Sequence, residues 1–431
     1  MDMAKIPYMK RVCDSVLELE LQAAGAVLVE GAKWCGKSRT AEQHARSMIF
    51  MQDSAMAASY RKTALTMPSL LLEGEAPHLI DEWQVAPVLW DAVRFAVDQR
   101  GGMGHFILTG SATPPDGNDD EDTKRRHTGT GRITRMRMRP MSLWESGEST
   151  GGVSLKVLFS GDNGGIGAAS RMTIPDIAYA ICRGGWPESV PLAEKVALRI
   201  ATNYLKAVIE EDIHRVDGVE KNPERVRRLL RALARNISTL ATTETIVGDV
   251  RGNDLSASDK TVNAYLNALR RLFLVEDTPA WMPTLRSKTA IRTSAKRQLV
   301  DPSIAVAAMG INPTGLLRDF NTFGFLFESL CTRDLRVYAQ PLDGQVSHYR
   351  DKNGLEADLI VSLPDGRWAP IEVKLGEGEM DDAAENLKKI EANVDPEKTG
   401  KPAFKMVLTG TPFAYVRTDG VIVCPVGCLK P

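Results

Sequence analysis

The sequence predicts an α/β chain of more than one domain: a parallel sheet near the N-terminus, a helical middle and a second α/β region at the end. Three observations predict it. Short continuous apolar runs at 26–30, 78–81 and 105–109 have the character of strands buried on both faces. Helical patterns separate these runs, and strands alternating with helices build a parallel sheet covered by helices. The chain has 431 residues, too many for one ordinary domain.

Composition narrows the functional classes. Hydrophobic residues make up 43% and charged residues 25%, which excludes a disordered or coiled-coil chain. Lys and Arg total 54 against 55 acidic residues, so affinity for a polyanion must come from local patches. No apolar run approaches the roughly 18 residues of a membrane span, and Met1–Arg11 lacks a signal-peptide core. The expectation is a soluble, cytoplasmic protein with no membrane partner. Cys13, Cys35, Cys182, Cys331, Cys424 and Cys428 are scattered without zinc-ligand spacing and read as structural thiols.

The first strand, Ala26–Glu30, leads into Gly31-Ala32-Lys33-Trp34-Cys35-Gly36-Lys37-Ser38, which matches the Walker A pattern. Glycines let backbone N–H groups turn inward around phosphate, and the N-terminus of the following helix adds its positive end. In that pattern Lys37 neutralises the β- and γ-phosphates of ATP and Ser38 holds Mg²⁺. The second strand ends in Asp81-Glu82, as a Walker B pair does: Asp81 to help hold Mg²⁺, Glu82 to activate water. The helix after it should bury Val88, Leu89, Val93 and Val97. Thr109, or else Ser111, ends the third strand where a polar side chain could meet the γ-phosphate.

Pro114–Asp122 is an acidic loop, 132–139 another strand, and the glycine-rich stretch 147–167 a loop or boundary. Helices follow, with Val226, Leu229, Leu230, Leu233, Ile237 and Leu240 on one face. Thr243–Val250 and the helix capped by Ser256 read as a helix-turn-helix, with Val262, Tyr265, Leu266 and Leu269 inward and Lys260, Asn263, Asn267, Arg270 and Arg271 outward. Such segments bind DNA or serve as spacers. Arg286, Lys288, Arg292, Lys296 and Arg297 then form a run without acids, either a track for a phosphate backbone or a solvated loop.

Near the C-terminus, Pro364-Asp365-Gly366 is a hairpin turn. If Leu363 pairs with Arg367, Asp358 lies opposite Glu372 and Glu356 opposite Lys374, all on one face. Leu359, Val361, Leu363, Ala369, Ile371 and Val373 form the core face. Opposed carboxylates repel by up to about 1 kcal/mol, and a divalent metal is the simplest compensation. A plain charged surface is the alternative.

The segments 31–38, 79–83, 106–111, 127–132 and 183–187 resemble the AAA+ ATPases, in particular predicted bacterial and archaeal members with a C-terminal domain of unknown function. The resemblance spans essentially the whole chain. It implies an arginine reaching a neighbouring subunit's γ-phosphate, which Arg132 fits best with Arg125 and Arg126 as competitors, and a homo-oligomeric ring, usually a hexamer. The C-terminal hairpin resembles the PD-(D/E)xK nuclease core, with Asp358, Glu372 and Lys374 catalytic. Glu328 is similar to that core's helical acid, and Glu328, Asp358 and Glu372 would hold Mg²⁺ or Mn²⁺. Ala357 stands where that core has Pro.

The expected architecture is therefore an AAA+ P-loop core over 1–172, a helical lid over 173–218, a winged-helix-like segment over 219–285 and a restriction-endonuclease-like α/β domain over 286–431. The expected function is ATP hydrolysis coupled to metal-dependent cleavage of branched or broken DNA. The alternatives are a nucleotide switch that binds DNA or protein around an inactive nuclease fold, and a protein-remodelling ATPase.

Overall fold

The computed structural model describes residues 7–111, 129–161, 165–216, 218–252, 258–283 and 294–431. Arg125, Arg126, His127, Ser256, Arg286, Lys288, Arg292 and the acidic stretch 114–122 lie outside the described residues. The chain divides into two compact units. The first comprises Met1–Arg139, Glu210–Lys221 and Asn267–Leu274; the second comprises Pro140–Ile209, Asn222–Leu266 and Val275–Pro431.

In the first unit, helix α1 (Asp14–Ala23) precedes β1 (Ala26–Glu30), α2 (Lys37–His44), β2 (Ser47–Phe50), α3 (Ala57–Thr66), β3 (His78–Asp81), α4 (Leu89–Arg100), β4 (Phe106–Gly110) and β5 (Ile133–Arg137). The strands form one parallel sheet in the order β2-β3-β4-β1-β5. Both faces are covered, as the unbroken apolar runs require. Ala26, Leu28, Phe106 and Leu108 pack with Leu89, Val93 and Val97 of α4. Val27, Val29, Leu79 and Ile107 pack on the opposite side with Leu17 of α1 and Met136. One expectation fails: Val88 is exposed, and Trp90 takes the buried place on α4. Val88 lies just before the helix, so the helical spacing does not extend to it.

The second unit opens with β6 (Val153–Ser154) and α5 (Leu155–Phe159), followed by β7 (Ala168–Ala169), α6 (Ile174–Arg183) and α7 (Glu194–Ala207). The glycine-rich stretch is thus not a simple loop. Ser154 caps α5 by accepting from Val157 N, and β6 pairs with the terminal strand β14 (Leu429–Lys430). Helices α8 (Pro223–Arg235) and α9 (Thr243–Arg251) follow, then α10 (Asp259–Arg271), whose residues from Asn267 on belong to the first unit. Val226, Leu229, Leu230 and Leu233 are buried on α8, and Val262, Tyr265, Leu266 and Leu269 on α10. Past α10, antiparallel bridges join Val275 to Leu299 and Thr278 to Lys296.

Helix α11 (Pro302–Met309) packs against α6, α7 and α8. The long helix α12 (Phe320–Ala339) packs on β8 (Gln345–Arg350), β9 (Glu356–Ser362) and β10 (Trp368–Lys374). With α13 (Met380–Asn393), β11 (Met406–Thr409), β12 (Phe413–Val416) and β13 (Ile422–Pro425), these build a mixed sheet in the order β7-β12-β13-β11-β10-β9-β8. A buried ionic knot organises this unit. Arg333 donates to Asp301 at 2.9 Å and to Asp334 at 2.7 Å, while Asp301 accepts from Gly185 N at 2.9 Å. A Cβ on Gly185 would stand 2.1 Å from the Met141 carbonyl oxygen, so the Gly-Gly-Trp-Pro stretch is explained by close backbone packing. All six cysteines are buried and none is in a disulfide.

Candidate functional site

The phosphate loop runs from the end of β1 to the start of α2, in a strand flanked by β4 and β5. Two glycines explain its shape. A Cβ on Gly31 would meet the Met138 carbonyl oxygen at 2.1 Å, and Gly36 caps α2 in the left-handed region at φ 104. The first N–H groups of α2 have no intrahelical acceptor by construction and carry the helix's positive end, so Gly36, Lys37 and Ser38 present donors to an anion. Lys37 Nζ rests on the carbonyl oxygens of Gly31 (3.1 Å) and Ala32 (2.9 Å), contacts that a phosphate can replace. Cys35 is buried with Sγ on Met138 O, Ala32 is buried, and Lys33 pairs with Asp212 at 3.0 Å. Trp34 adopts φ 67 and is 46% exposed.

Asp81 and Glu82 stand at the end of β3. Thr109, fully buried on β4, donates to Asp81 Oδ1 at 2.6 Å and accepts from Glu82 N at 3.0 Å. Its proton is directed to Asp81, so Thr109 braces the acidic pair from the neighbouring strand. Glu82 sits in the left-handed region at φ 56, an uncommon conformation for a residue with a side chain. Its carboxylate accepts from Ser111 Oγ at 3.2 Å and from Gln84 Nε2. Burial raises the Glu82 carboxyl above the usual range, with Asp81 adding to the effect and Lys37 opposing it. A raised carboxyl suits proton acceptance from water. Gln84 gave no signal in the sequence, because nothing marks a glutamine two residues after an acid as its partner.

Arg132 donates to Asp98 at 2.7 Å and to Thr130 O at 3.3 Å. It is tied to α4 of its own unit through an exposed ion pair.

In the second unit, Lys296, Glu328, Asp358, Glu372 and Lys374 stand together. The hairpin pairs in the expected register from Leu359–Ile371 to Ser362–Trp368. The ladder ends there, and Asp358 does not simply face Glu372: its Oδ2 accepts from Val373 N at 2.9 Å. Glu356 leaves the group, pairing with Arg350 at 3.0 Å instead of Lys374. Glu372 is buried and accepts from Asn386 of α13 at 2.9 Å, while Lys374 lies 3.9 Å from it. Glu328 projects from α12, buried, and its Oε1 accepts from Lys296 Nζ at 2.7 Å. Lys296 also lies 3.2 Å from Asp358 O and 3.5 Å from Asp358 Oδ1.

The electrostatics follow from burial. Burial, with the Asp358 charge, pushes Glu328 up to about 8 against the pull of Lys296. Burial and Asp358 likewise raise Glu372 well above its ordinary value. Burial works against the Lys296 charge, but Glu328 and Asp358 together outweigh it and hold the ammonium above the lysine range. Lys296 and Asn386 were missed as members of this group. Lys296 reads in sequence as one cation in a basic run, and only the Thr278 bridge turns it inward.

The two sites differ in their fit to a divalent cation. Ser38, Asp81 and an ATP phosphate form an oxygen donor set of the kind Mg²⁺ takes. Around Glu328, Asp358 and Glu372 an ammonium already lies between two of the three carboxylates. Among the described residues no group of three or more His, Cys, Asp or Glu side chains stands in metal-holding geometry. As arranged, the second site does not fit the expected Mg²⁺ or Mn²⁺.

Residues 23–146 match the family model of the AAA domain. Residues 23–146 form an AAA-type P-loop ATPase domain. Residues 174–315 match a domain of unknown function (DUF8612) and residues 323–429 another (DUF4143). Uncharacterized proteins of Mycobacterium bovis and Mycobacterium tuberculosis are each 24% identical over 363 residues, covering 83% of this chain and 72% of theirs. The Walker-type ATPase of Pyrococcus abyssi is similar at 14% identity and a TM-score of 0.44, over 72% of this chain and 100% of that one. Among the described residues no helix is long and apolar enough to cross a membrane.

Proposed function

We propose that this chain is an ATP-hydrolysing AAA+ enzyme that acts on DNA through its second unit. The observation that carries the ATPase part is the Asp81-Glu82 pair, fixed by Thr109 at the end of the strand beside the phosphate loop. Lys37 leaves two backbone carbonyls to neutralise phosphate, Ser38 and Asp81 hold Mg²⁺, and Glu82 accepts the proton of the attacking water. When bound, Mg²⁺ supplies countercharge for the leaving phosphate. Arg132 is the candidate to serve a neighbouring subunit in a hexameric ring, exchanging Asp98 for the γ-phosphate there. The lid over 173–218, the winged-helix-like segment over 219–285 and the nuclease-like domain from 286 remain our reading of the second part of the chain. The antiparallel bridges after α10 and the exposed Lys260, Asn263, Asn267 and Arg270 on that helix support the winged-helix part.

Convergence of Glu328, Asp358, Glu372 and Lys374 supports a nuclease of the PD-(D/E)xK kind cutting branched or broken DNA. A second reading, a nucleotide switch that binds DNA or protein without cutting, is favoured by one observation: Lys296 between Glu328 and Asp358. The test incubates end-labelled single-stranded, duplex, splayed and four-way DNA with ATP and Mg²⁺ or Mn²⁺, beside Asp358→Ala and Lys37→Ala. Cutting that Asp358→Ala abolishes supports the nuclease. Intact ATPase with no cutting on any substrate leaves the switch.

A further inference from the structure

We propose that the Lys296 ammonium is the resident cation of the second unit's acid cluster, occupying the place a divalent metal would take. The inference rests on the nuclease-like reading for the identity of the displaced cation and on geometry for the rest.

Lys296 is 5% exposed and donates two hydrogen bonds within the cluster, to Glu328 Oε1 at 2.7 Å and Asp358 O at 3.2 Å, while Asp358 Oδ1 completes an ion pair at 3.5 Å. Such a lysine is not solvated, and a buried ammonium persists only where carboxylates compensate it. Two further carboxylate oxygens are also engaged. Asp358 Oδ2 accepts from Val373 N at 2.9 Å, and Glu372 Oε1 accepts from Asn386 at 2.9 Å. A divalent cation needs several of these oxygens at once, with all their ligating lone pairs turned toward it. Here they turn toward an ammonium, a backbone N–H and an amide.

The position of Lys296 is set by its backbone. It exchanges both main-chain hydrogen bonds with Thr278, N to O at 2.9 Å and O from N at 2.8 Å. Neighbouring Arg297 is held by Asp277 at 2.9 Å and by Ala241 O at 2.7 Å.

The test uses the full-length chain without nucleotide, titrated with Mn²⁺ while free Mn²⁺ is followed by electron paramagnetic resonance and thermal unfolding is recorded. Wild type is expected to show no Mn²⁺ binding that depends on Asp358. Lys296→Met is expected to gain such a site, with its lowered melting midpoint raised by Mn²⁺, and Lys296→Met/Asp358→Asn to lose both responses. Lys296→Gln gives the same comparison with a polar side chain should the Met variant not fold. If wild type binds Mn²⁺ through Asp358 as tightly as Lys296→Met does, Lys296 is not the occupant, and the nuclease reading stands untouched. If folded Lys296→Met or Lys296→Gln gains no Mn²⁺ at all, the cluster is not a cation site and both readings fall together.

Discussion

Both units bring a lysine near carboxylates, yet the two lysines are held in opposite ways. Lys37 rests on two carbonyl oxygens of its own loop, neutral partners that a phosphate can replace. Lys296 is enclosed by Glu328 and Asp358, partners that cannot do without it. An ammonium on neutral acceptors leaves a site ready for an anion; an ammonium enclosed by buried acids is already committed to them. The chemistry of a Lys-acid group is therefore decided less by which residues converge than by what each charge already touches.

The largest expected effect sharpens the first half of this contrast. Glu82→Gln should lower ATP hydrolysis by about 10²–10⁴-fold, the usual worth of a positioned general base, while nucleotide binding persists in an equilibrium binding assay. Retained hydrolysis would show that Glu82 only shapes the turn at φ 56. Next comes stability. Lys296→Met, in strict metal-free buffer, should lower unfolding free energy by about 3–5 kcal/mol, because it strands buried carboxylates. Lys37→Met should cost less, about 1–2 kcal/mol, since it leaves neutral carbonyls and no uncompensated charge. Equal losses in denaturant titrations would erase the distinction between the two lysines.

A third expectation concerns acid. Burial, helped by the Lys296 charge, depresses His348 from 6.5 to about 4. The unfolded chain takes up that proton first, so the folded state loses stability as pH falls from about 6.5 toward 4. The loss amounts to roughly 3 kcal/mol, and His348→Gln should flatten that limb of a pH–stability curve. Glu328 and Glu372 shift upward and act with the opposite sign, so the variant must be read against wild type at each pH. The smallest effect is at Arg132. Arg132→Ala should change stability by less than about 1 kcal/mol, because its pair with Asp98 is exposed. If Arg132 serves a neighbour, the variant's ATPase no longer rises with protein concentration; an unchanged concentration dependence removes it from the ring.

Much of this was legible from the sequence where interactions are local. The Walker loop, the strand ends at Asp81 and Gly110, and the hairpin register all depend on residues close in the chain. Asp358, Glu372 and Lys374 were found because a tight turn fixes their relation. What escaped depends on distant partners. Lys296 meets Asp358 across 62 residues and looks from its neighbours like a DNA-facing cation. Asn386 sits among ordinary helix residues, and the Thr109 hydroxyl meets Asp81 across 28 residues. The short elements inside the glycine-rich stretch exist through pairing with the C-terminal strand, which no local pattern announces.

The tryptophan in the phosphate loop has a practical consequence. Trp34 stands exposed three residues before Lys37; Trp144 is exposed too, whereas Trp83, Trp90, Trp186, Trp281 and Trp368 are buried. An indole within the phosphate loop responds to an arriving nucleotide through its polarity and quenching, and Trp144→Phe removes the other exposed fluorophore. The chain thus carries a built-in optical probe of occupancy: emission followed during rapid mixing with ATP would time the loop's response without any attached dye.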